Sequence, residues 1–457
     1  MKIGLEVHVQ LLTKTKLFCA CPNRHSEEPN VQTCEYCLGF PGSKPTLNAA
    51  AVEAAAKIGL ALGCNFPEEM FFSRKSYFYP DMGKNFQITQ YEMPIARGGA
   101  LDVAGKKIRI TRIQMEEDPA RIVHEKNYIL ADYNRSGVPL CEIVTEPDFT
   151  TPKEARLFLQ QLASILEYLG VMDPSVEGSM RVDGNISISD VRVEIKNITG
   201  FKEVERALTY EGIRQNNLIR RNVAVARETR GWDALAGITR SQRSKEEEDD
   251  YGYIFEPDLP RVTLAKAAID AIRKTLPEMA RDKIKRYAKM GVSGALAEAI
   301  VAEIDLAQMF ESVSKKIDAP FAAKWFAGDI KKTLNYNDAR MKDVKITAEQ
   351  IIKLLMMVSS GRITEQVGEA IFRKMVEKPQ EPETLAKGLI VIGDDKELDA
   401  LAKDVVKENM EAAKDYRAGK KESLHFLIGQ LMKKTNGRAK PEAARKAVEK
   451  ALGSKER

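Results

Sequence analysis

The chain has 457 residues, with 71 Lys and Arg against 66 Asp and Glu, a formal net charge of +5 and 44% hydrophobic residues. At roughly 100–200 residues per domain this length predicts two to four domains, and the composition excludes a mostly disordered, collagen-like or disulfide-stapled chain. No run approaches the roughly 18 apolar residues of a membrane span, and Met1–Glu6 opens without a signal-like apolar stretch, so a cytoplasmic protein with no membrane partner is expected.

In chain order, short alternating or β-branched runs at Ile3–Val9, Ile108–Ile113, Leu140–Val144, Asn185–Ile188 and Val191–Ile195 predict strands. Between them, Ala-rich Leu47–Leu62 and Thr151–Leu169 predict helices, the second opened by a Thr-Pro cap. Strands and helices do not alternate as in a doubly wound sheet. The expectation is therefore an α+β chain, antiparallel-rich over residues 1–261. An acidic run, Glu246–Asp250, precedes a change of texture. From Val262 helical spacing dominates, predicting an all-α domain over 262–378, a proline-rich polar linker at 379–384 and a small helical tail domain over 385–457. Residues 414–457 carry 13 Lys and Arg against 5 Asp and Glu, so the last stretch is +8 and everything before it −3. A basic helical module is either a solvated surface or an RNA-contacting appendage, in which cations displace counterions from phosphates.

Four of the six cysteines lie at Cys19, Cys21, Cys34 and Cys37. Two close thiol pairs joined by a short loop suit a closed, tetrahedral structural zinc site, with redox chemistry of Cys34 and Cys37 a weaker alternative. Cys64 and Cys141 read as small buried hydrophobes. Glu6 and His8 share one face of a predicted strand whose other face carries Leu5, Val7 and Val9, so they form either half a divalent-metal site or a solvated edge. Glu116-Glu117-Asp118 ends a strand-like run and offers oxygens to Mg²⁺. Ser73–Asp81 packs Arg74 and Lys75 among Tyr77, Phe78 and Tyr79, and Asp132–Pro139 is a polar turn. No phosphate-binding P-loop and no G-x-G-x-x-G occurs.

Ile3–Leu11, Arg74–Asp81, Gln87–Tyr91, Ile110–Asp118, Asp132–Arg135, Glu142–Asp148, Glu194–Asn197 and Gly429–Thr435 occur in an order that resembles the B subunit of the aspartyl/glutamyl-tRNA amidotransferase. The resemblance spans nearly the whole chain. It implies a cradle-shaped catalytic domain, a helical domain and a tRNA-contacting tail. It also implies that Glu-tRNA(Gln) or Asp-tRNA(Asn) is phosphorylated by ATP and then amidated with ammonia from glutamine. The implied partners are the A and C subunits of a heterotrimer and the misacylated tRNA, and the implied cofactors are ATP, Mg²⁺ and structural Zn²⁺. By matching motif, Glu6, His8 and Glu117 are the expected Mg²⁺ ligands. Lys75 and Glu117 are expected at the nucleotide, Lys75 and Arg135 at phosphate or acyl carboxylate, and Asp132 and Asp183 as orienting acids. The chain departs from the pattern at Val182 (usually Cys), Gly184 (often Ala) and Gly252 (usually Arg). A non-catalytic, zinc-containing tRNA-binding protein is the alternative.

Overall fold

The computed structural model describes residues 1–176, 178–244, 252–392 and 395–453, so the acidic run Glu246–Asp250 lies outside the described residues. The strand Lys2–Gln10 shows how the first part of the chain is organised. Its Leu5, Val7 and Val9 are buried in an apolar core, while Glu6 and His8 face the other way, as a period of two requires. This strand sits inside a nine-stranded sheet. Met180–Ser187, Val193–Ile198, Glu228–Asp233 and Ile238–Ser244 follow on one side of it; Pro139–Thr145 and Lys106–Glu117 lie on the other. Every pairing in that order is antiparallel except Val193–Ile198 with Glu228–Asp233.

Helices cover the apolar face. Ala49–Ala61 starts where the Asn48 side chain accepts from the amides of Ala50 and Ala51, and Pro152–Tyr168 starts where Thr151 accepts from the Glu154 amide, with Pro152 in the first turn. Phe158, Leu162 and Leu166 of the second of these, and Val204, Ala207 and Leu208 of Phe201–Arg220, are buried in the same core as Leu5, Val7 and Ile113. Each such large apolar side chain contributes about 1.5–3 kcal/mol of burial. At Gly184 an added Cβ would stand 3.1 Å from Leu208 Cδ2. The small residue thus suits close packing of sheet and helix. Val182 is buried too, filling core volume on its strand.

The first compact unit runs to Met279 rather than ending near residue 261. Helix Lys266–Lys274 buries Ile269 in the first core, and Leu264, Ile272, Leu276 and Met279 pack against it. Among the described residues of the second unit, Ala280–Arg457, every regular element is a helix, and the unit holds two cores. One gathers Tyr287, Phe310, Phe326, Leu355 and Phe372; the other gathers Leu398, Leu427, Leu431 and Val448. The 379–384 segment is not an open spacer. It forms a helical turn at Pro382–Leu385 with Pro382 buried, and Glu381 accepts from Lys353 Nζ at 2.7 Å. The α+β layout, antiparallel-rich first and helical afterwards, is the one the pattern predicts. Among the described residues no helix is long and apolar enough to cross a membrane.

Candidate functional site

The polar face of the nine-stranded sheet carries a cleft of about 570 Å³. Antiparallel register decides which side chains enter it. His8 stands opposite Glu142 on one neighbour and Arg181 on the other; Glu142 stands opposite Gln114, and Glu6 opposite Asp183. Residues directly opposite share a face, and so do residues two apart along a strand, which brings Arg112, Gln114 and Glu116 in beside them. His8 Nδ1 lies 3.0 Å from Glu116 Oε1 and its Nε2 3.9 Å from Asp183 Oδ2. His8, Glu116 and Glu142 each bring a ligand atom within 4.8 Å of the others, close enough to hold one metal ion. Lys75, Arg112, Arg181, Arg192, Lys196 and Arg227 also line the cleft.

The electrostatics describe a site short of positive charge at its acidic centre. Burial disfavours the imidazolium of His8. The hydrogen bond to Glu116 and the charges of Glu142, Glu116 and Asp183 outweigh that and push its pKa up to about 10. Burial pushes Glu142 up to about 7, with only part of the effect offset by His8. Glu116 is held below the usual carboxylate range despite burial, through its hydrogen bond to His8 and the charges of His8, Lys75 and Arg181. A proton on His8 thus does the work a divalent cation does when carboxylates gather around it, and the donor set of one imidazole and two carboxylates fits such an ion.

A second acidic group, Glu6, Asp183 and Glu194, is arranged differently. Lys196 Nζ lies 2.7 Å from Asp183 and 3.0 Å from Glu194, and Asn185 Nδ2 donates to Glu6 at 2.9 Å. The ammonium already supplies the charge that two of these acids need. Against burial, Lys196 and His8 hold Asp183 below the ordinary range, and the Asn197 amide also donates to it.

The structure brings Glu6, His8, Lys75 and Asp183 into the cleft, but not the other three predicted residues. Glu117 is one position out of phase: its fully buried carboxylate is held by Lys84 Nζ at 2.6 Å and by the Ile88 amide at 2.9 Å, on the face shared with Ile113 and Met115. Its neighbour Glu116 takes the place beside His8. Asp132 does not reach the cleft either, because its Oδ1 accepts from the amides of Asn30 and Asn134 and so closes a turn. Arg135 pairs with Asp118, whose other oxygen accepts from Arg181 Nη2 at 2.7 Å. Asp118 lines the cleft, and Arg135 touches that lining through it. The sequence offered Glu116 only as one of the three acids of Glu116–Asp118, from which the motif match selected Glu117, and Glu142, Arg112 and Arg181 were missed; the alternation set by Ile113 and Met115, extended to Gln114 and Glu116, is the signal that could have singled out Glu116. Lys75 gains its place from Arg74, whose guanidinium forms a two-pronged pair with buried Glu256 at 2.7 and 2.9 Å. Tyr253 also lines the cleft and stacks on Tyr91, with ring centroids 4.2 Å apart.

The four cysteines form a separate centre. Cys37 Sγ lies 3.4 Å from Cys19, 3.7 Å from Cys34 and 3.7 Å from Cys21, and all four thiols are free. Zinc–sulfur bonds of about 2.3 Å in a tetrahedron imply sulfur separations near 3.8 Å, so this cage fits a tetrahedral ion, whereas a disulfide needs about 2.05 Å. The Cys37 thiol is pulled down to about 4, first by its hydrogen bond with Cys19 and also by the Lys16 ammonium. Tyr36, between Cys34 and Cys37, joins the Lys84–Glu117 pair: Lys84 Nζ donates to its hydroxyl at 2.9 Å and lies 4.2 Å from its ring centre.

Residues 1–270 match the family model described as the GatB/GatE catalytic domain, and residues 308–452 match the one described as the GatB domain. The chain is 44% identical to the aspartyl/glutamyl-tRNA(Asn/Gln) amidotransferase B subunit of Methanoregula boonei, with 98% of each chain covered. It is 45% identical to the B subunit of Methanospirillum hungatei over 96% of this chain and 95% of that one. The protein of the same name from Thermus thermophilus is 40% identical, covering 99% and 98%.

Proposed function

The chain belongs to the aspartyl/glutamyl-tRNA(Asn/Gln) amidotransferase B subunit family, and from that premise we propose a two-step reaction at the His8 cleft. In the first step a side-chain carboxylate oxygen of Glu-tRNA(Gln) or Asp-tRNA(Asn) attacks the γ-phosphorus of ATP, the bond to the bridging oxygen breaks and ADP leaves. In the second, ammonia attacks the acyl carbon, phosphate departs with the carbon–oxygen bond, and loss of a proton leaves the amide. A carboxylate resists amidation because oxide is a poor leaving group, and phosphorylation converts that oxygen into a good one. Phosphoryl transfer asks mainly for positioning and charge neutralisation.

The observation that carries this reading is the convergence of His8, Glu116 and Glu142 under a ring of lysines and arginines in one cleft. These three residues would hold Mg²⁺, with Glu116 in the role the family motif assigns to Glu117. A bound magnesium ion supplies charge neutralisation for the transferred phosphoryl group. Lys75 and Arg181 face the phosphates or the acyl carboxylate, Arg135 steadies Asp118, and Asp183 orients His8. The cysteine centre takes a structural zinc ion. Ammonia comes from glutamine hydrolysed on a glutaminase partner, the A-type member of a heterotrimer whose small C-type member braces the pair. The tail meets tRNA phosphates through exposed Lys420, Lys421, Lys433, Lys434, Arg445 and Lys446.

The test is phosphate release from γ-labelled ATP by the complete complex with Mg²⁺. Release is expected to require Glu-tRNA(Gln) or Asp-tRNA(Asn), and His8→Ala is expected to lower it at least about 100-fold, beyond the 10–100-fold typical of losing an outer-sphere partner. Release that ignores the charge state of the tRNA, or survives His8→Ala undiminished, overturns the reading and leaves the non-catalytic tRNA-binding alternative.

A further inference from the structure

Lys16 is fully buried, and its ammonium has no carboxylate partner among the described residues. Its Nζ donates to three groups: the Gln32 carbonyl at 2.9 Å, the Tyr133 carbonyl at 3.1 Å and Cys37 Sγ at 3.5 Å. Burying an ammonium with only two neutral carbonyls is costly, so the third partner has to carry negative charge. A tetrathiolate centre provides it, because four thiolates over-neutralise a divalent ion.

The same three bonds join two segments. Cys19–Cys37 is the cysteine loop, and Tyr133 belongs to the turn at 131–136. Other bonds tie the two along their length. The Gln32 amide donates to Asn134 Oδ1 at 2.8 Å, the Tyr133 amide to Asn30 Oδ1 at 2.7 Å, Asn134 Nδ2 to the Glu28 carbonyl at 2.7 Å, and Ser136 Oγ to the Cys37 carbonyl at 3.2 Å. Most of these partners on the loop are backbone or Asn side-chain atoms whose position depends on how the loop is folded. An ion that fixes the four sulfurs therefore fixes the surface on which the turn rests. Arg135 leaves that turn to pair with Asp118 at the edge of the cleft.

We propose that Lys16 is a positioning residue with two linked roles: it is the outer-sphere cation that stabilises the metal-bound tetrathiolate, and it is the tether through which metal loading orders the 131–136 turn. This rests on the zinc reading of the cysteine centre. Substitution Lys16→Met keeps the buried stem and removes the charge; Lys16→Arg keeps the charge and changes the shape.

The experiment titrates the full-length chain with Zn²⁺ against a chelator, and with Co²⁺ to follow the thiolate-to-metal absorption band. Lys16→Met is expected to weaken binding by about 10–100-fold, as loss of an outer-sphere partner does, with Lys16→Arg recovering most of the loss. Equal affinity in wild type and Lys16→Met overturns the proposal, as does an equal loss in both variants, since that would mark packing rather than charge. A wild-type chain that takes up no Zn²⁺ removes the metal reading itself, which is a different failure. Should Lys16→Met not fold, wild-type protein still decides the tether by amide hydrogen exchange. Stripping the metal is expected to speed exchange at 131–136, and unchanged exchange there overturns that role.

Discussion

The cysteine centre and the acidic cleft are both clusters of potential metal ligands in the same compact unit, but they are assembled in opposite ways. The four thiols come from a single loop, Cys19–Cys37, and their spacing along the chain nearly determines their meeting. His8, Glu116 and Glu142 come from three strands, and only sheet register determines theirs. A one-residue slip inside the thiol loop moves one ligand a few ångströms. The same slip in a strand sends a carboxylate through the sheet to the apolar side. The distributed site is thus the one whose identity rests on the whole fold, and the local one is legible without it.

The largest expected effect tests the self-sufficiency of the local centre. Cys37 touches all three other thiols, so Cys37→Ser removes its hub. Structural zinc sites hold their metal with about 10–16 kcal/mol shared among four ligands, so losing one is expected to weaken Zn²⁺ binding at least about 100-fold. Metal content after dialysis against a chelator reads this directly. Mn²⁺ affinity of the cleft should stay within about tenfold of wild type. A cleft that lost its affinity for Mn²⁺ together with the zinc would show that the two centres are one cooperative unit rather than one local and one distributed site.

Next in size is the comparison of two adjacent glutamates. Glu116→Gln is expected to lower Mn²⁺ affinity of the cleft about 100-fold with a nearly unchanged denaturant midpoint. Glu117→Gln is expected to leave that affinity within about twofold and to cost about 3–5 kcal/mol of stability, because Lys84 remains buried without its counter-charge. Titration of Mn²⁺ and urea unfolding separate the two. The opposite assignment would show that the register places the carboxylates wrongly.

These two positions also show how far the sequence could be read. The cysteine cage, the Glu6/His8 face, both N-terminal helices with the Thr-Pro cap of the second, and the antiparallel-rich order were all legible, because each depends on local spacing or on a single period. The choice between Glu116 and Glu117 was not. Ile108 and Ile110 set one phase of the strand and Ile113 the other, and the shift is real: Thr145 pairs with Ile110 while Val144 pairs with Arg112, an irregularity that changes the alternation midway. Arg181, on a strand far beyond the one carrying Glu117, reaches the cleft only because Met180–Ser187 pairs with Lys2–Gln10. Asp132 misled for a related reason. An acid in a polar turn looks available for chemistry, but its short side chain is consumed by the amides of that turn and of the cysteine loop.

The smallest effect concerns the acids that the protein neutralises with its own lysine. Lys196 serves Asp183 and Glu194, so Lys196→Met is expected to cost about 1.5–3 kcal/mol at neutral pH, the range for hydrogen bonds to charged groups. The pH dependence has a definite sign. Asp183 titrates below its ordinary value when folded, so it adds stability that is fully present above the unfolded pKa and is lost as pH falls through the folded one. Without Lys196 the folded pKa of Asp183 rises, and acid unfolding of the variant is expected to begin at a higher pH than in wild type. Below the folded pKa of Asp183 in wild type the two proteins should converge, since the acid is then protonated in the folded state of both and the ion pair is gone. A variant whose deficit stayed constant as pH fell from 7 through that folded pKa would show that Lys196 contributes by packing its stem, and the distinction between the carboxylates held by Lys196 and those gathered at His8 would lose its electrostatic basis.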